Sequence, residues 1–335
     1  MRKLTITALI LSATSMLGLY VLYNALFQPR QINLSDIPVS LEIKRLEDSL
    51  FNLQTKAEIA NFLEHHQLLA EEFLDVKDDQ EKNKLIDKLY DMVHDASIQA
   101  LYQEVQYKFK DITKLQSELE YAFKCLKYYY PTFEVPQVVT LITGMGSDLH
   151  VSKQLIVISL DSFLGEGAKF RPLRMPDYIL HTYQPQYILS KLILLLSQQF
   201  NVENLKDNTL LQDMLYAGKA YYFTKTLLPE VSDAIILGYT EAQYSDTEKH
   251  QRIVWQHFID HELFYETNHM VKKKYLGDRP FTSEIGYGCP GNIGGWLGYQ
   301  IIKKYMKNNS NITLPMLMQN TDAQYLFMQA KYKPK

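Results

Sequence analysis

The segment Pro185 to Phe200 constrains the fold most, because Ile188, Leu189, Leu192, Ile193, Leu194, Leu195 and Leu196 surround nearly the whole circumference of a helix with apolar groups. A helix that is apolar all round is buried. The remaining elements must therefore wrap around it. Pro185 suits the first turn, where its missing N–H is no loss. From Ile188 onward the polar groups of the segment are few: Ser190, Lys191, Ser197, Gln198 and Gln199.

Upstream, hydrophobic spacing predicts amphipathic helices over about 55–69, 79–109 and 111–130, the last closed by Pro131. The period then changes. The runs Gln137 to Ile142 and Leu155 to Leu160 are short and rich in β-branched residues, and the loop between them carries Gly144, Gly146 and Asp148. They read as a hairpin in a small antiparallel sheet, and Pro38 to Ile43 alternates like a further half-buried strand. Downstream, helices are predicted over 209–228, from a capping box at Ser245-Asp246-Thr247-Glu248 to about Tyr265, over 293–306 and around 323–328. The class is α+β, predominantly helical.

Met1-Arg2-Lys3 precedes an uncharged run from Leu4 to Phe27, long enough to cross a bilayer core of about 30 Å as a helix. Residues 1–28 read as a signal anchor or signal peptide, 29–36 as a linker and 37–335 as one domain. Leu17, Leu19, Val21, Leu22, Leu26 and Phe27 carry the hydrophobicity past where a cleavage site would sit, which favours an uncleaved anchor. The positive residues before the run place the domain outside the cytoplasm. A net charge of −3 with interleaved signs gives no stripe to neutralise phosphates, which argues against nucleic acid. The 24 tyrosines are core packing first and interface material second. Cys125 and Cys289 read as free thiols.

No catalytic constellation is expected. His261-Glu262 lacks the second histidine of a zinc-protease helix, since Tyr265 stands in its place. His257 and His261, four apart with Asp260 beside them and His269 downstream, are weak metal candidates; neither a metal nor a cofactor is expected. Gly144 to Asp148 lacks the lysine of a phosphate loop, and Asp161 with Glu166 forms at most a turn-borne carboxylate pair. Gly294, Gly295 and Gly298 sit in a helix interior, where each costs about 1 kcal/mol against Ala. Close packing against the 185–200 helix is the expected compensation, and an interaction surface or pocket with Trp296 and Tyr299 the alternative.

Several separated motifs in one order carry a resemblance: Ile37-Pro38-Val39, Phe133 to Gly144, Leu155 to Gly165, Leu210 to Phe223, Leu237 to Gln243, Pro290 to Met306 and the segment from Asp322 to Lys335. Together they resemble the gliding-motility lipoprotein GldB family of Bacteroidota. The resemblance implies a periplasm-facing envelope protein associated with gliding and type IX secretion components, without established enzymatic activity. The family's lipobox cysteine is absent here, which turns the expectation toward an inner-membrane anchor. A second resemblance, to HExxH zinc proteases, concerns the scaffold: Ser190 and Lys191 stand on the central helix where ligands would be, and Ala217 where a downstream Glu would be. It implies a degenerate, zincin-like scaffold. The expectation is a non-catalytic protein acting through protein–protein contacts; the alternative is a peptidase-like envelope hydrolase with an unrecognised site.

Overall fold

A computed structural model describes residues 33–172 and 175–334. The apolar run Leu4 to Phe27, and with it the anchor expectation, lies outside these residues. Among the described residues, no helix is long and apolar enough to cross a membrane. Residues 33–38 make a turn closed by the Ile37 amide on the Leu34 carbonyl (3.2 Å). Val39–Lys335 forms the second, much larger unit, and everything below concerns it.

This unit opens with strand β1 (Ile43–Arg45) and helices α1 (Leu46–Phe51), α2 (Lys56–His65), α3 (Gln67–Glu72), α4 (Asp79–His94), α5 (Ala96–Lys108) and α6 (Thr113–Tyr129). The long helix expected over 79–109 is broken at Asp95, whose carboxylate caps α5 by accepting from the Ser97 and Ile98 amides. The strand expected at Pro38 to Ile43 begins only at Ile43. Part of the reason is that the Leu41 amide donates to Glu120 and that of Ile43 to Gln116, both on α6, so side chains replace a neighbouring strand.

Strands β2 (Gln137–Leu141), β3 (Leu149–Val151) and β4 (Leu155–Ser159) complete a sheet of order β1-β2-β4-β3. The two β-branched runs do not form the antiparallel hairpin expected of them. They lie side by side and parallel, Val139 opposite Val157, and the segment between them supplies β3, antiparallel to β4 at the edge. Both runs are buried along nearly their whole length. Continuous apolar runs of this kind belong to interior parallel strands, whereas half-exposed hairpins alternate. Glu47, fully buried at the start of α1, holds β1 to β2 by bonding Arg45 (2.8 Å) and the Thr140 hydroxyl (2.6 Å), and burial raises its pKa.

After α7 (Asp177–Leu180) and a single turn at Pro185–Tyr187 comes α8 (Ile188–Ser197), then α9 (Leu210–Leu227), α10 (Asp233–Leu237), α11 (Glu241–Lys249), α12 (Gln251–Asp260) and α13 (His269–Leu276). The chain ends with α14 (Ile293–Asn308), α15 (Leu314–Gln319) and α16 (Ala323–Ala330). The capping box predicted at Ser245 lies five residues earlier: Thr240 and Gln243 exchange the two bonds, and Ser245 falls inside α11. Thr240-Glu241-Ala242-Gln243 fits the same four-residue pattern and stands directly after the Gly238 turn.

Helix α8 packs on α6, α9 and β3, with Leu192 and Ile193 fully buried. It is not covered all round, since Leu194 is half-buried and Leu195 exposed. The close approach expected of the glycine helix exists, but its partner is α9. A Cβ on Gly298 would overlap the Met214 carbonyl, and one on Gly218 would overlap the Gly298 backbone. Gly218 gives α9 the matching gap, whereas α8 offers leucines. Around this crossing gather Leu211, Leu215, Trp296, Leu297, Ile301 and Ile302.

Candidate functional site

The open side of α8 forms the floor of a cleft. Tyr187, Ser190, Lys191 and Leu194 recur at helical spacing and therefore share one face. One wall is the chain around α7, with Tyr178, His181 and Tyr183; another is Gly238-Tyr239-Thr240, where Gly238 ends α10 in the left-handed region at φ 72°. Tyr221 of α9 and Asn292, at the start of α14, close it. The cavity measures about 450 Å³. A second hollow of about 460 Å³, floored by Leu195 and Ala217, shares Lys191, Leu194 and Tyr221 with the first.

Most polar atoms of the cleft are already engaged. The Ser190 hydroxyl donates to the Tyr187 carbonyl (3.0 Å), so the buried Oγ is held by its own turn. Both His181 ring nitrogens face carbonyl oxygens, of Tyr178 (2.7 Å) and Gly238 (2.9 Å), which leaves the imidazole no nitrogen for a substrate. Tyr239 donates to the Gly291 carbonyl (2.9 Å) and Tyr183 to the Asp148 carboxylate (2.7 Å). Burial raises the pKa of both phenols, with Asp148 adding to the effect at Tyr183. Lys191 places its Nζ over the Tyr183 ring, 4.3 Å from the centroid. Burial lowers its pKa, and the carboxylates of Asp148 and Asp278 oppose the shift. Tyr221 accepts from Asn292 Nδ2 (2.8 Å), and burial lifts its phenol to about 12.

The residues singled out from sequence lie elsewhere or inside. Trp296 and Tyr299 are buried at 0% and 1% exposure and Gly294, Gly295 and Gly298 are buried with them, so they form interior packing and present no exposed face. Trp296 donates to Glu248 (3.2 Å), and Tyr299 donates to Asp233 (3.2 Å), a carboxylate also held by Lys303 (3.1 Å) and Lys225 (3.5 Å). Burial would raise the Asp233 pKa, but Lys303, Lys225 and the Tyr244 hydroxyl outweigh it and hold it below the ordinary value.

The ring centroids of His257 and His261 lie 4.2 Å apart with the planes tilted by 33°, but His261 Nδ1 faces its own helix at the His257 carbonyl (2.9 Å) and His257 Nε2 pairs with the Tyr275 hydroxyl (3.0 Å). Among the described residues no group of three or more His, Cys, Asp or Glu is arranged to hold a metal. Asp161 and Glu166 do not act as a pair: Asp161 is fully buried and Glu166 exposed. Asp161 instead organises the 143–147 loop by accepting from the Thr143 and Met145 amides, while burial lifts its carboxyl to about 6. Cys125 and Cys289 are free thiols, and burial raises Cys289 to about 12.

The family model described as gliding motility protein GldB matches residues 28–334, nearly the whole chain. The chain belongs to the GldB family. No curated protein and no solved structure matches it. For this GldB-family chain, sequence reasoning passed over Tyr183, Lys191, Tyr221 and Tyr239 as a site. One signal was available: Lys191 is the only charged residue within Ile188–Ser197. A charge in the middle of an apolar helix needs either a buried partner or an opening to water.

Proposed function

We propose that this chain is a non-catalytic envelope component of the gliding machinery that works by binding, held at the membrane by its amino-terminal segment with the domain facing the periplasm. The type IX secretion and motility components would be its partners. The observation that carries this reading is the state of the cleft's reactive groups. The Ser190 hydroxyl donates to a backbone carbonyl and both His181 nitrogens face backbone carbonyls, so no nucleophile stands against a free base. The cleft remains open nevertheless, with Lys191 and a set of tyrosine side chains facing it.

The protease-like resemblance adds support at the level of placement. A HExxH motif starting at Ser190 would put its residues at Ser190, Lys191 and Leu194, all of which line the cleft, and Ala217 lines the adjoining hollow. A scaffold that exchanged ligands for Ser, Lys and Leu while keeping its cavity would retain recognition and lose hydrolysis. Deleting the gene should abolish spreading on agar, and complementation with His257→Ala/His261→Ala should restore it. Peptide hydrolysis by the purified full-length chain, lost together with spreading in that double variant, would replace this reading with the hydrolase alternative.

A further inference from the structure

We propose that Lys191 and Tyr221 form the receptor for the carboxylate of a small polar ligand lodged in the cleft. This deepens the binding reading and rests on it. Its basis is an inventory of hydrogen-bond capacity. An ammonium has three donors, and among the described residues Lys191 Nζ has no ion pair or hydrogen bond, only the face of Tyr183. The carboxylate that could have served it, Asp148, already accepts from the Tyr183 hydroxyl and the Leu149 amide, both at 2.7 Å. Tyr221 differs from the other phenols of the cleft in the direction of its bond. Tyr183, Tyr187 and Tyr239 donate to oxygen, whereas Tyr221 receives from Asn292, and its own proton has no acceptor among the described residues. The side chain is only 9% exposed, so water gives it little relief. One cation and one phenolic O–H are thus left unspent, and both line the same two adjoining hollows.

The charges around them select the class of ligand. Arg279, the other Lys or Arg among the described residues of the cleft, is spent on Glu284 (3.0 Å) and the Lys274 carbonyl (3.0 Å). Asp177 and Asp278 stand exposed at the rim. Among the described residues a dianionic phosphate would meet one free cation and two carboxylates, Asp177 paired with Arg171 (3.7 Å) and Asp278. A monocarboxylate matches the count, and its oxygens have lone pairs for both Nζ and the phenolic O–H. Asp278 then faces the remainder of the ligand, which favours N–H or hydroxyl donors there. Tyrosine rings and Leu194 cover its apolar surface. The cavity of about 450 Å³ is in the range of small-molecule sites and matches a short peptide terminus or an acidic sugar.

The test is calorimetric titration of the detergent-solubilised full chain with N-acetyl-dialanine, its carboxyl-terminal amide, glucuronate, methyl glucoside and inorganic phosphate. The expected result is binding of one of the two acids, with its uncharged counterpart and phosphate weaker by about tenfold or more. Lys191→Met and Tyr221→Phe should each weaken that acid by about tenfold while melting near the wild-type temperature, which shows that the fold is kept. No binding by either acid, equal binding of acid and uncharged counterpart, tighter binding of phosphate, or wild-type affinity in Lys191→Met would each overturn the proposal. Release of free alanine from the dipeptide, read by mass spectrometry of the same samples, would instead end the non-catalytic reading, and the affinities would still decide the carboxylate site.

Discussion

Gly298→Ala tests the crossing of α9 and α14 with the smallest possible perturbation. Two terms of opposite sign compete. In an exposed helix the exchange would gain about 1 kcal/mol from lost backbone entropy in the unfolded chain. Here the added methyl would overlap the Met214 carbonyl, which is backbone and has no rotamer to escape into. The helices must part, and Gly218 sits in the same contact, so α9 cannot move closer at a neighbouring point. Overpacking of a tight core costs typically 1–3 kcal/mol and occasionally more, and a backbone clash belongs at the upper end of that range. The net expectation is destabilisation by about 2 kcal/mol. For a domain of this size that lowers the melting temperature by roughly 4 °C. Gly288→Ala is the control, because its Cβ would meet nothing nearer than Asp246 Oδ2 at 3.9 Å. Differential scanning calorimetry reads both. Gly298→Ala melting at or above wild type, with Gly288→Ala unchanged, would refute the packing argument.

Three further outcomes are expected. Asp233→Ala should destabilise the domain by about 3 kcal/mol in urea unfolding, because it strands Lys303 and Lys225 and leaves the Tyr299 and Tyr244 hydroxyls without their acceptor. Lys219 is 2% exposed, and burial lowers its pKa to about 8 from 10.5, so the unfolded chain binds more protons between these values. Wild type should therefore gain up to about 2 kcal/mol on Lys219→Met as pH rises from roughly 8 to 10; a constant difference would contradict the shift. Asp161, raised to about 6 from 3.8, gives the opposite slope. Its favourable contribution is complete below pH 3.8 and lost as pH rises through about 6, so wild type should lose up to about 3 kcal/mol relative to Asp161→Asn across that window.

What could be read from the sequence was local. The burial of Leu192 and Ile193, the Pro131 stop and the small-residue face of α14 follow from spacing and residue type within one segment. The misreadings were of partners. Nothing in Gln137 to Ile142 or Leu155 to Leu160 states that the strands run parallel, although their unbroken apolar character pointed to an interior position. Gly298 announced a close neighbour, but Gly218 identified it only once the two helices were brought together in space. The cleft shows the same division. Lys191 is visible as a charge out of place, whereas the spare proton of Tyr221 depends on the direction of one bond from Asn292, distant in sequence.

A comparison of two lysines explains why Lys191 is read as functional when a charge in an apolar setting is so often structural. Lys219 on α9 is the more deeply buried, and its Nζ donates to the carbonyls of Val202 (3.1 Å), Met318 (3.4 Å) and Asn320 (2.8 Å). Those bonds offset part of the desolvation of the ammonium, whose pKa burial still lowers to about 8, and tie the chain after α8 to the end of α15, so the charge has a structural role. Lys191 has no such recovery: one aromatic face, two carboxylates acting at a distance, and no hydrogen-bond acceptor among the described residues. A methionine there would pack against the same leucines at no electrostatic cost. If stability were the only role of this position, Lys191→Met should be neutral or stabilising and leave gliding intact. The binding reading requires instead that the variant keep or raise its melting temperature and fail to restore spreading in the deletion strain.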